Sequence, residues 1–161
     1  MIIISHRGNL YGPGNKANPY NENSPEAILL AIGYGFNVEI DVRVTVDVLG
    51  KYNKYTLWCG HDKPEYRLDP EFLKTYKDKL VIHVKDIPTA EFFSRTDFNW
   101  FYHENDSMVL TSWRWLWLHP SRYSIKGVNL QFQDPDLVGY INPDSFGICT
   151  DYPLKYRAPR L

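Results

Sequence analysis

The chain has 161 residues, with 18 Lys and Arg against 19 Asp and Glu, a net charge of −1 and 16% aromatic residues. A near-neutral balance without a basic stripe argues against nucleic acid as a partner, and apolar runs as short as Ile2–Ile4 and Val109–Leu110 argue against stable insertion in a membrane. With no basic segment leading into an apolar one at its start, the chain reads as a single cytoplasmic domain over 1–161, long enough to bury a hydrophobic core.

The first predicted element is an apolar strand at 2–6 that ends in His6, Arg7 and Gly8. The Gly-, Pro- and Asn-rich stretch 9–23 follows as a loop, read as mobile and lying over the mouth of the fold; Gly12 and Gly14 alone do not define a phosphate site. Ser24 reads as an N-cap, with Pro25 at the first helical position and Ala27, Ile28, Ala31 and Ile32 on one helix face. Strands at 38–44 and 55–61 are separated by KYNKY (51–55), read as a hairpin turn with a solvated basic face. Asp69 and Pro70 open a helix over 70–78, a strand occupies 81–85, and a third helix runs from Pro88 towards Arg95.

In the second half, strands are predicted at 98–103, 108–112, 115–119, 127–132 and 146–150. Only four residues, Glu104 to Ser107, separate the first two, whereas a parallel crossover needs about a dozen or more, so 108–112 must return antiparallel. Eight strands then remain for the parallel direction. The resulting expectation is an α/β fold of the (β/α)8 TIM-like type, reduced in length, with several helices of the second half replaced by extended or short returns. Cys59 and Cys149 lack a C-x-x-C spacing and read as buried thiols. Trp113, Trp115 and Trp117 read as packing residues, and the basic tail 153–161 as solvated.

Side-chain alternation decides which residues share a face. Glu39 and Asp41 lie two apart on one strand, so their carboxylates point to the same side, about 7 Å apart along the strand, and two such charges favour a cation between them. The same rule aligns Ile4 with His6, Cys59 with His61, Val81 with His83 and Lys85, and Asn99 with His103. Each polar residue stands near the C-terminal end of its strand, where parallel α/β barrels carry their sites. Asp62, Asp106, Asp151 and Tyr152 are further pocket candidates, with a capping role as the alternative for Asp151.

At this point a family resemblance emerges. HRG at 6–8, ENS at 22–24, EIDV at 39–42 before T-x-D at 45–47, and GHD at 60–62 resemble the glycerophosphodiester phosphodiesterases, within the wider group of phospholipase-C-like phosphodiesterase barrels. GICTDYP at 147–153 resembles that family's last strand; between 62 and 147 the likeness is loose. The resemblance implies that His6 and His61 act as acid and base, that Arg7 and Lys85 hold the substrate phosphate, and that Glu39, Asp41 and the early-loop Glu22 bind a divalent metal ion. One position departs: the family carries a carboxylate two residues before the lysine, and here that residue is His83. The third ligand is then His83 through a ring nitrogen, Asp106 or His103 as a substitute, or water. Magnesium, calcium or manganese fits the family; imidazole in place of oxygen favours a softer ion than calcium, such as manganese or zinc. The short chain implies a reduced substrate cleft.

The implied activity is metal-dependent hydrolysis of glycerophosphodiesters or similar small phosphodiesters. A cation with Arg7 and Lys85 would neutralise charge on the phosphoryl oxygens, while two imidazoles move the protons. His6 and His61 are expected to reach the site from opposite sides of the Glu39/Asp41 strand. Two alternatives stay open: transfer within the substrate to give a cyclic phosphate, and a non-catalytic barrel that binds phosphorylated ligands. Oligomeric state is not encoded in any of these features.

Overall fold

The structure is a computed structural model that describes residues 1–49 and 52–157. Of the predicted turn at 51–55, Lys51 lies outside the described residues and 52–55 belong to a strand instead; the tail 153–161 is described as far as Arg157. In chain order the elements are β1 (Ile2–His6), α1 (Pro25–Gly33), β2 (Asn37–Leu49), β3 (Tyr52–Cys59), β4 (Tyr66–Leu68), α2 (Pro70–Thr75), β5 (Leu80–Val84), α3 (Ile87–Phe93), β6 (Trp100–Phe101), β7 (Met108–Leu110), β8 (Leu116–Leu118), β9 (Val128–Gln131), α4 (Pro135–Val138), β10 (Gly147–Thr150) and α5 (Pro153–Arg157).

Helix starts follow one local rule. A short polar side chain accepts a backbone N–H of the first turn and a proline with preset φ follows it: Ser24 accepts from Ala27, Asp69 from Glu71, Asp86 from Thr89 and Asp134 from Asp136. The last of these opens α4, which the sequence reading missed although Asp134-Pro135 carries the same signal. The tail read as solvated instead forms α5 over Pro153–Arg157, with Tyr156 buried.

The strands form one ten-stranded mixed sheet. Its parallel part runs β6-β5-β2-β1-β10-β9-β8, and β7 closes antiparallel on β8. β2 is long enough to change partners: Asn37–Glu39 pairs with β1, and from Val42 onwards the same edge pairs antiparallel with β3, while β5 holds the opposite edge. β4 extends the β3 arm.

This overturns the expected (β/α)8 pattern. That architecture requires eight strand–helix units, whereas the described residues contain ten strands and five helices in a mixed sheet. The physical reason lies first in β3. The eight-strand expectation takes it as parallel, yet β2 runs on to Leu49 and its alternating apolar residues pair back onto β3 as a long hairpin, leaving no crossover and no helix. No helix separates β6, β7 and β8 either.

Two apolar layers flank the parallel strands. On one face Val38, Ile40, Val42, Leu80, Ile82 and Val84 pack with Ile28 and Ala31 of α1, Leu73 of α2 and Phe93 of α3. On the other, Ile4, Val81, Phe101, Trp117, Val128 and Cys149 form a second cluster. Phe101 meets Trp117 at 4.7 Å between ring centroids and Ser112 donates its N–H to the Trp100 carbonyl, so the sheet curls and its flanks approach. Trp117 thus fills the core as read from the sequence; Trp113 and Trp115 are half-buried, in edge contact with each other. Cys59 and Cys149 are buried free thiols in different clusters.

Candidate functional site

The site is built two residues beyond the second cluster. Strand alternation carries Ile4 to His6, Val81 to His83, Phe101 to His103, Trp117 to His119 and Cys149 to Asp151 on one side of the sheet. All five histidines of the chain line a single cleft of about 360 Å³, together with Arg7, Glu39 and Asp106. It opens where β2 leaves β1 for β3, the kind of switch point at which α/β sheets leave a crevice beyond their strand ends.

Glu39, Asp41 and His83 each offer a ligand atom within 4.8 Å of the others. Both carboxylates are buried. Asp41 is well neutralised: Arg7 Nε lies 2.9 Å from Oδ2, Lys85 Nζ 3.3 Å from Oδ1, and Asn23 donates to Oδ2 at 3.0 Å. Burial alone would raise its pKa, but His83, Arg7 and Lys85 outweigh that and hold it well below the usual carboxylate range. Glu39 is the opposite case. Its Oε2 has no hydrogen-bond partner among the described residues, and the His6 Nε2 atom is 3.8 Å away. Burial, with the Asp41 charge added, pushes Glu39 up to about 7.

His83 Nδ1 lies 3.2 Å from Asp41 Oδ1, 3.7 Å from Glu39 Oε1 and 3.5 Å from Lys85 Nζ. Burial, reinforced by Lys85, lowers its pKa to about 4 against the pull of Asp41, so the ring is neutral near pH 7. Phe101 and His103, themselves parallel and 5.9 Å apart, stack against one side of the ring, each at 4.7 Å. Two carboxylates, each with a buried oxygen that accepts no hydrogen bond among the described residues, and a neutral imidazole make a donor set that fits a divalent cation.

His6 is held from the far end of the chain. Its Nδ1 is 2.8 Å from Asp151 Oδ1, which also accepts from Asn9 Nδ2, and Phe132 covers the ring at 4.4 Å. Burial lowers its pKa, but the Asp151 hydrogen bond and the Glu39 and Asp151 charges together raise it above the ordinary value. Asp151 is therefore a partner of His6, a role its sequence context did not separate from capping.

Arg7 adopts a left-handed backbone, φ +54°, and its N–H donates to the Glu39 carbonyl at 2.9 Å. Gly8 follows at φ +81°, where a Cβ would stand 2.8 Å from the Ala27 carbonyl carbon. That turn throws the Arg7 side chain onto Asp41. Asn23 is likewise left-handed, φ +60°, and clamps Asp41 twice: its Oδ1 accepts the Asp41 N–H and its Nδ2 donates to the carboxylate. Within ENS at 22–24 the family resemblance points to Glu22 alone; the signal for Asn23 is that asparagine is among the non-glycine residues most tolerant of this backbone.

Other predicted residues fall as follows. Glu22 pairs with Arg7 Nη1 at 3.3 Å and accepts from Asn9, and it stands outside the Glu39/Asp41/His83 cluster. Lys85 contacts Asp41 and His83 rather than lining the cleft. His61 sits at the rim, its Nδ1 2.7 Å from the exposed Asp62 carboxylate. His103 and Asp106 line the cleft without joining the three-residue cluster. Because β1 and β3 pair with the same edge of β2, His6 and His61 approach from one side of that strand, not from opposite sides as expected. The loop 9–23 contributes nothing to the cleft wall; Asn18 and Asn15 brace it instead by accepting from Leu10, Tyr11 and Ala17 and donating to the Gly12 and Tyr11 carbonyls.

No helix among the described residues is long and apolar enough to cross a membrane. Comparison with protein-family models, with curated proteins and with solved structures finds no match to the chain.

Proposed function

We propose that the protein is a metal-dependent hydrolase of small phosphodiesters, glycerophosphodiesters among them. The observation that carries this reading is the Glu39/Asp41/His83 cluster, two of whose members line the same cleft as His6, Arg7 and His61. A divalent ion held by these three residues would supply Lewis-acid stabilisation of the phosphoryl oxygens and a lowered water pKa.

The chain's own groups account for the rest. Arg7, fixed by Asp41 through Nε and by Glu22 through Nη1, keeps Nη2 to offer a phosphoryl oxygen. In the hydrolysis, the water oxygen bonds to phosphorus as the phosphorus–oxygen bond to the leaving alcohol breaks. One imidazole takes the water proton and another gives its proton to the departing oxygen. With Asp151 accepting from Nδ1, His6 presents Nε2 to this exchange, and Asp62 orients His61 in the same way. Two buried free thiols fit a reducing compartment and support a cytoplasmic location.

The test is hydrolysis of a glycerophosphodiester by purified protein supplied with manganese, followed by phosphorus NMR. A monoester product that disappears in His6→Ala and His61→Ala supports the reading. A cyclic product replaces hydrolysis with intramolecular transfer, and turnover that survives both substitutions overturns the acid–base assignment.

A further inference from the structure

The cleft has two unlike walls. One carries the charged and imidazole groups of β1, β2, β5 and β6; the other, along β7, β8 and β9, is mostly apolar, with Met108, Val109, Leu118, Pro120, Leu130 and Phe132 beside His119 and Asp106. On β9 the alternation that ends other strands in His or Asp ends instead in Leu130 and Phe132. Leu118 belongs to the core, but Met108 is 57% exposed and lies on the antiparallel flank β7, with an unbranched side chain free to adapt to a ligand. A substrate with two short polar alcohols leaves most of such a wall uncovered. An anionic head at Arg7 continued by an alkyl arm matches both halves.

We propose that the substrate is an amphiphilic phosphodiester, with one ester arm carrying an aliphatic chain that lies along the β7–β9 wall. This rests on the phosphodiesterase reading for the head and on the cleft lining for the chain. The wall is short, so the chain enters only until the cleft of about 360 Å³ is filled. Beyond that length added carbons meet solvent.

Alkyl phosphates from ethyl to dodecyl phosphate, each below its micelle-forming concentration, isolate the chain from catalysis. Calorimetric titration into the manganese-supplemented protein should show affinity rising about fourfold per methylene, the factor that burial of one such group supplies, followed by a plateau. Met108→Asp, a change at an exposed position, should flatten the rise. Leu137→Asp, at an 84% exposed position on α4 outside the cleft, should leave it intact.

Affinity independent of chain length overturns the proposal, as does a rise that both variants leave unchanged, which would place the chain elsewhere. The two readings fail separately. Cleavage of a glycerophosphodiester with a flat alkyl series removes the amphiphilic substrate and keeps the hydrolase. A rising series lost in Met108→Asp, with no diester of either type cleaved, keeps the two-walled site and removes the hydrolase.

Discussion

Asp151 Oδ1 stands 2.8 Å from Nδ1 of His6, so residues 145 apart in the chain fix one imidazole at the mouth of the cleft. β1 and β10 pair in parallel from Ile2 with Gly147 to Ser5 with Thr150, and that register delivers both side chains to the same height. A carboxylate only accepts, so Nδ1 carries the hydrogen and Nε2 faces the cleft and Glu39.

Asp151→Asn should therefore lower the His6 pKa, readable as a shifted imidazole titration by NMR, and reduce turnover by about 10²-fold if His6 serves as acid or base. The stability effect has a fixed sign. A raised His6 pKa contributes stability that is full below the unfolded value and is lost as pH rises through the folded one. The variant should fall behind the parent more at pH 5 than at pH 8.

Glu39 and Asp41 should respond in opposite ways to loss of charge. With Glu39 raised to about 7, its contribution to the metal-free protein is present below the unfolded value near 4.5 and is lost as pH rises towards 7. In chelator-treated protein, Glu39→Gln should remove that decline and raise the melting temperature at pH 8, while abolishing manganese binding. Asp41→Asn strips the counter-charge from Arg7 and Lys85, both within 3.3 Å, and should destabilise the fold by about 3–5 kcal/mol. Manganese affinity of the parent should rise with pH up to about 7, because the Glu39 proton has to leave first.

His83 should govern which metal is preferred. A neutral imidazole suits manganese or zinc better than calcium, which takes six to eight oxygens. Calorimetry on His83→Gln should show a larger loss of zinc affinity than of calcium affinity; equal losses would place His83 outside the coordination sphere.

Much of this site was legible because strand alternation and local spacing report directly on which side chains share a face. Glu39 with Asp41, His6 with Ile4 and His83 with Val81 follow from a period of two and needed no tertiary information. The partner of each strand did not follow. β2 reads as a seven-residue strand from its apolar run, but it continues through Thr45 and Asp47 because β3 satisfies its backbone, and only the paired structure reveals that extension. The same limit hid the His6–Asp151 contact and the double clamp of Asn23 on Asp41, which depend on register and on a left-handed residue in a loop. The predicted barrel failed at the same point, since a hairpin and a crossover are built from similar apolar runs.

The turn that aims Arg7 at Asp41 makes a final prediction. Gly8 has φ +81° and no room for a Cβ, which would meet the Ala27 backbone at 2.8 Å at the start of α1. Gly14 has a comparable φ of +66° but nothing within 4 Å. Substituting alanine at Gly14 should cost about 1–2 kcal/mol, the price of a left-handed L-residue. At Gly8 the same conformational cost applies and the backbone of α1 must also move, so Gly8→Ala should exceed it clearly in a urea titration. Because α1 begins two residues after Asn23, that movement should also disturb the clamp on Asp41. Gly8→Ala should therefore lose manganese affinity as well as stability, whereas Gly14→Ala should lose stability alone. Equal effects of the two substitutions on metal binding would show that the Arg7–Gly8 turn does not position the site.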